Sequence, residues 1–175
     1  MYNDQIYEKF DWDEVILSAF HENLKIIDVP RKGKGVIVLA DIPANTVLFE
    51  FKGNKFTREN ANHDEAYLLQ VGSNKFLGPS GDLDDYINHS CNPNCGLNIM
   101  GDRAFLISLY LIKYGTEVTF DYSTSSNDTP EEWSMECKCG DFKCRKIISG
   151  YQYLDKTLKE RYEKLGIVPS YLIGK

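Results

Sequence analysis

Cys137, Cys139 and Cys144 fall within eight residues in the spacing C-x-C-x4-C, with Gly140 placed for a tight turn. No other feature restricts the fold of this chain as much. A tetrahedral Zn²⁺ takes four nitrogen or sulfur ligands, and a structural site closes with all four from the protein. Three ligands here require a fourth, and the two remaining cysteines, Cys91 and Cys95, are both candidates. Either one would tie the C-terminal part of the chain to its middle. The alternative, three free thiols, fits poorly with three cysteines in so polar a stretch. The five cysteines are odd in number and unevenly placed, and Met1-Tyr2-Asn3-Asp4-Gln5 does not open a basic and apolar leader. A disulfide framework is therefore not expected. An intracellular protein is, with nucleus or cytoplasm undecided and secretion not anticipated.

The rest of the chain predicts a mainly β fold with short terminal helices. Runs rich in Val, Ile, Leu or Phe, bounded by Pro, Gly or Asn, predict strands at 24–29, 35–40, 46–51, 66–71, 74–77, 103–112 and 117–122. Val15, Ile16, Ala19 and Phe20 form the stripe of a short amphipathic helix. Leu154, Leu158, Tyr162 and Leu165 line one face of a second helix, which Gly166 and Pro169 stop. The polar, turn-rich stretch 123–136 predicts a mobile linker. The organisation is thus an N-terminal segment (1–23), a β domain (24–122), the linker (123–136), a zinc-binding segment (137–150) and a C-terminal helix and tail (151–175). No run approaches 18 apolar residues, so no transmembrane helix is predicted. A net charge of −6 disfavours generic binding to phosphate backbones and suits a basic partner. Neither nucleic acid nor membrane is expected as a direct partner.

Three more segments stand out. Tyr86-Ile87-Asn88-His89-Ser90-Cys91-Asn92-Pro93-Asn94-Cys95 is dense in turn-forming and hydrogen-bonding residues. Glu117-Val118-Thr119-Phe120-Asp121-Tyr122 is a strand ending in a tyrosine, and Arg31-Lys32-Gly33-Lys34-Gly35-Val36 is a glycine-rich strand entry. Taken singly, these are a loop with a structural histidine, a strand and a turn. The last has the spacing of neither a Walker A loop nor a dinucleotide fingerprint.

In this order, together with Ala66-Tyr67-Leu68-Leu69 and the closing Cys137–Arg145 element, the segments resemble the SET-domain family of protein-lysine methyltransferases. The resemblance covers roughly residues 24–146. It implies a SET-domain β-clip in which the Asn-His-Ser-Cys and Phe-Asp-Tyr segments thread past each other in a pseudoknot, an exception to the rule that loops are not threaded. It also implies a post-SET zinc cluster of Cys91, Cys137, Cys139 and Cys144, with Cys95 left over. The activity implied is S-adenosylmethionine-dependent lysine N-methylation. Lys32, Lys34, Tyr67, Asn88, His89 and Lys138 are the implied cofactor-binding residues, and Tyr122, Tyr67 and Phe120 the catalytic ones. Phenylalanine at position 120 implies di- or trimethylation. The implied partner is a lysine-bearing protein or peptide, with histone tails among the candidates.

The chain departs from the family pattern at Lys34, where many members carry Trp or Arg, and at Asp85, where an arginine is common. Nothing before Cys91 in this sequence is a cysteine, so a cysteine-rich pre-SET segment is not expected. Two other readings compete: a catalytically silent SET-like module that binds peptides, and a zinc-thiolate redox protein.

Overall fold

The computed structural model describes residues 20–60 and 68–173. The helix predicted around Val15–Phe20 lies outside that range except for its last residue. Among the described residues the architecture is mainly β, built as five small sheets, with a single α-helix near the C-terminus. No described helix is long and apolar enough to cross a membrane.

β1 (Leu24–Val29) and β2 (Gly33–Val38) form an antiparallel hairpin. Arg31 and Gly33 take positive φ at its turn (68° and 80°), which explains a glycine there and places β2 two residues earlier than predicted. β3 (Val47–Phe51), β9 (Arg103–Ser108) and β8 (Cys95–Met100) form an antiparallel sheet with β9 in the middle. Its inner face supplies Leu48, Leu97, Leu106 and Ala104 to the main core, beside Val36, Val38 and Val118 from neighbouring elements. A third sheet has the order β4 (Lys55–Phe56), β6 (Lys75–Leu77), β5 (Leu69–Gly72).

The run 103–112 breaks at Ser108, and Ile112 instead makes an isolated two-bond bridge with Ile42. β8 escaped prediction because it follows directly on a loop of Asn, Pro and Cys. Its alternation puts Leu97 in the core and Gly96 on the opposite face, where Ile167 packs against the bare backbone.

The remaining strands are short. β7 (Asn88–His89) pairs in parallel with β10 (Thr119–Phe120), and β11 (Met135–Glu136) pairs with β12 (Ile147–Ile148) around the cysteine loop. α1 (Lys156–Lys164) starts where Asp155 accepts a bond from the Leu158 amide at 2.9 Å. It buries Tyr162 with Tyr151, Leu154, Ile167, Val168 and Leu172 in a second, smaller core. Between β10 and β11 the chain makes a 3-10 turn (Tyr122–Thr124), and Ser123, Thr124, Ser125 and Ser126 are all buried. The first part of the stretch read as a linker is therefore packed, held by side-chain hydroxyl bonds back to the Asp121 and Tyr122 carbonyls.

Candidate active site and cysteine cluster

The site forms where β7 crosses β10. The Ser90 amide donates to the Phe120 carbonyl at 3.0 Å. The Asn94 side chain completes the pairing, donating to the Glu117 carbonyl at 2.8 Å and accepting from the Thr119 amide at 2.9 Å. Two segments 31 positions apart, Asn88 to Thr119, are thus fixed side by side, and everything they carry is fixed with them.

On one side of this crossing lies the glycine-rich turn. The Asn88 side-chain Nδ2 donates to the Lys34 carbonyl at 2.9 Å and to Glu117 Oε1 at 2.8 Å, while Lys32 Nζ meets Glu117 Oε2 at 2.6 Å. Gly35 makes this approach possible, because a Cβ there would stand 2.7 Å from Asn88 Nδ2 and 2.8 Å from Glu117 Oε1. Lys34 points elsewhere, its ammonium 5.1 Å from the centre of the Tyr86 ring. Of the residues predicted to hold a cofactor, Lys32 and Asn88 therefore share one acidic partner. Glu117, which opens the Phe-Asp-Tyr segment opposite a lysine-rich turn, is a partner that the motifs alone do not reveal. Lys138 lines, with Arg31, Gly140 and Cys144, a cleft of about 560 Å³. Tyr67 is outside the described residues.

On the other side lies a larger cavity of about 730 Å³, whose apolar walls include Phe51, Leu69, Ile87, Phe120, Tyr122 and Trp133. The Phe120 and Tyr122 rings lie 4.9 Å apart, centre to centre, and Phe51 stands edge-on to Phe120 at 6.1 Å. The Tyr122 hydroxyl donates to the Ile87 carbonyl at 2.7 Å, which fixes the phenol at the cavity wall. Four carboxylates, Asp84, Asp85, Asp128 and Glu132, share the lining with two cations, Lys52 and Arg58. Asp85, the departure noted above, accepts from the Ser80 and Gly81 amides at 2.9 and 2.8 Å and so holds the turn beside the cavity.

Behind Tyr122 sits His89. Burial pushes its pKa down to about 4, so the imidazole is neutral at pH 7. Its Nδ1 accepts from the Tyr122 amide at 3.2 Å, which leaves the ring proton on Nε2. That nitrogen faces Cys91 Sγ at 3.2 Å and donates to it. His89 therefore links the tyrosine backbone to the cysteine cluster.

In the cluster, donor atoms of His89, Cys91, Cys137 and Cys139 lie within 4.8 Å of one another. Cys144 packs against the same group, its Sγ 3.9 Å from the Cys137 carbonyl. The Sγ atoms of Cys91 and Cys137 are 3.6 Å apart. A tetrahedron with zinc–sulfur arms of about 2.3 Å has edges of about 3.8 Å, so this spacing fits two ligands on one ion. With the Nε2 proton directed at sulfur, the imidazole would be a donor to a ligand and Cys144, packed against the same group, would supply the fourth sulfur. Burial pushes the Cys91 thiol up to about 11, and a cation in the cluster would offset that cost. Cys95 is buried in the main core, away from this group.

Sequence comparison matches the SET domain to residues 33–123, just over half of the chain. The histone-lysine N-methyltransferase, H3 lysine-36 specific, of Chaetomium globosum is 28% identical over 172 residues, covering 88% of this chain and 18% of that protein. The protein of the same name from Candida albicans is 29% identical, covering 85% and 20%. Human histone-lysine N-methyltransferase 2D is 28% identical over 133 residues, 67% of this chain and 2% of that protein. The chain thus spans about a fifth or less of the length of these relatives. Among solved structures, KRYPTONITE in complex with mCHG DNA and SAH superposes with a TM-score of 0.62 at 24% identity, covering 73% of this chain and 29% of that one. The fold is shared with that protein.

Proposed function

The chain belongs to the SET-domain family, and from that premise we propose that it methylates lysine side chains of a protein substrate, using S-adenosylmethionine as donor. The observation that carries this reading is the placement of Tyr122 and Phe120 in the wall of an apolar cavity, directly beside the Asn88–His89 crossing.

Methyl transfer to an amine is an in-line displacement, and positioning supplies most of its acceleration. S-adenosylmethionine, when bound, supplies a sulfonium methyl whose bond to sulfur breaks as the bond to the lysine nitrogen forms, leaving a neutral thioether. The lysine must first lose a proton to water, although its free pKa is about 10.4. Phe51, Ile87 and Phe120 favour the neutral amine by excluding water from the ammonium. Tyr122, anchored through its proton to the Ile87 carbonyl, would accept an amine N–H or a polarised methyl C–H at its oxygen. Lys32, Asn88 and the Glu117 carboxylate hold the glycine-rich turn that, with His89, would border the cofactor, and Arg31 and Lys138 line the adjoining cleft. Cys91, Cys137, Cys139 and Cys144 would hold a structural Zn²⁺, which contributes a cross-link and no reactive chemistry.

The excess of carboxylates at the cavity favours a basic peptide. The names of the relatives point to histone H3 among such peptides. Phe120 leaves room beside Tyr122 for a methylated amine, so the product expected is di- or trimethyl-lysine. The test is mass spectrometry of core histones and a lysine-rich extract after incubation with the protein and S-adenosylmethionine, beside Tyr122→Phe. A gain of methyl units on lysine that the variant lowers about 100-fold supports the reading. Binding of S-adenosylhomocysteine and peptide without transfer would mark a silent peptide-binding module. Absence of cofactor binding would leave only a zinc-thiolate protein.

A further inference from the structure

Tyr171, in the last described turn (Ser170–Leu172), reaches back beneath the loop that follows Tyr122. Its hydroxyl oxygen lies 2.9 Å from the Gln70 carbonyl in β5 and 2.7 Å from the Ser125 carbonyl. One phenol proton serves only one acceptor at a time, so it is shared between two carbonyls that would otherwise repel each other. Burial pushes the pKa of this phenol far above the usual tyrosine range, so it remains a donor at every working pH.

Gln70 and Ser125 both line the large cavity, and their carbonyls meet at the Tyr171 hydroxyl. Other bonds converge on the same loop. From β5, Gln70 Oε1 accepts from the Asn127 amide at 3.1 Å and Nε2 donates to Asn127 Oδ1 at 2.9 Å. From the C-terminal segment, the Tyr151 amide donates to the Ser126 carbonyl at 2.8 Å, and Gln152 Nε2 to the carbonyls of Asn127 and Asp128 at 3.0 and 3.2 Å. The loop 125–128 is therefore held between β5 in front and the tail behind, and the Tyr171 hydroxyl bridges the two walls.

We infer that Tyr171 is a positioning residue for substrate binding: it sets the gap between β5 and the loop after Tyr122, and so the width of the groove that receives the peptide around its target lysine. This rests on the methyltransferase reading for the nature of the ligand. Neither hydrogen bond of its hydroxyl goes to the crossing or to the cysteine cluster, so its action is expected on peptide and not on cofactor.

The test uses the full chain carrying Tyr171→Phe, which keeps the ring and removes only the bridging proton. Hydrogen exchange without any ligand should quicken about 10-fold at the amides of 125–128 and stay unchanged in the β8–β9 hairpin. With an H3 tail peptide, KM should rise about fivefold while kcat and the affinity for S-adenosylhomocysteine hold. Unchanged exchange in the loop, an equal rise in β8 and β9, or faster loop exchange with KM unmoved would each overturn the inference. If the unaltered protein transfers no methyl to any lysine, the methyltransferase reading falls. The loop exchange then decides alone whether Tyr171 holds the two walls.

Discussion

The carboxylate of Asp121 and the guanidinium of Arg145 form a two-pronged ion pair, with N–O distances of 2.7 Å on both prongs. The Asp121 side chain is wholly inaccessible and that of Arg145 only one-fifth exposed. Tyr162 of α1 donates to the same carboxylate at 2.8 Å and the Ser123 amide at 3.0 Å. The Arg145 amide in turn donates to Cys91 Sγ at 3.3 Å. One buried charge beside Tyr122 thus joins the 3-10 turn, the cysteine segment and the C-terminal helix.

Removing one partner from such a pair leaves an uncompensated charge in the interior. Arg145→Leu should lower the unfolding free energy by about 3 kcal/mol, read from the urea midpoint at unchanged slope. A loss below about 1 kcal/mol would mean that Tyr162 and Ser123 satisfy Asp121 unaided.

Gly35→Ala should act locally. The added methyl has no room between Asn88 Nδ2 and Glu117 Oε1, at 2.7 and 2.8 Å, so the Lys32–Glu117–Asn88 arrangement must open. Calorimetric affinity for S-adenosylhomocysteine should fall about 10-fold, the worth of one or two such bonds. Undiminished affinity would place the cofactor away from this turn.

How far the sequence alone leads differs between the two halves of the site. Each short motif was visible because its residue types are unusual: three clustered cysteines, an Asn-His pair, a Phe-Asp-Tyr strand end. What joins them was not, because it is made by common residues far apart in the chain. Glu117 receives Lys32 across 85 positions, and Tyr171 reaches Gln70 across 101. β7 and β10, two residues each, are too short to show a periodicity and form through parallel pairing with each other. Arg145 was visible inside the closing motif, but only the buried Asp121 gives it a purpose. The stretch after Tyr122 read as polar linker because its serines and threonines resemble loop composition. In the fold, those hydroxyls and amides find partners on the neighbouring backbone, which makes their burial tolerable.

Zinc content should discriminate among the cysteines. The unaltered protein should carry about one zinc per chain, and Cys91→Ser, Cys137→Ser and Cys139→Ser should lose it. Cys95→Ser, altered in the main core, should keep it. Cys144→Ser decides the fourth ligand: loss of metal makes it a ligand, whereas full retention would assign that place to His89. Elemental analysis after gel filtration reads each case. Chelation of the unaltered protein should also release the segment between β11 and β12 to proteolysis, since that loop has little apolar packing beyond the cysteines.

In the proposed reaction, Phe120 should set how many methyl groups the cavity can hold. Its ring lies 4.9 Å from Tyr122 and 6.1 Å from Phe51, so its outer edge is surrounded by aromatic carbon. Phe120→Tyr places a hydroxyl in this space. A buried hydroxyl needs a partner, and the nearest solution is a water molecule held beside the Tyr122 oxygen. That water occupies the volume into which the methyl of a monomethylated lysine must turn before its nitrogen can face the donor again. The first transfer should therefore proceed at nearly the original rate, while the second slows by about 10- to 100-fold, a cost of about 1.4 to 2.7 kcal/mol in the transition state. Mass spectra over a time course should show monomethyl-lysine accumulating in Phe120→Tyr, where the unaltered protein passes on to di- and trimethyl-lysine. The same product distribution in both proteins would show that the wall at position 120 does not limit the room around the amine.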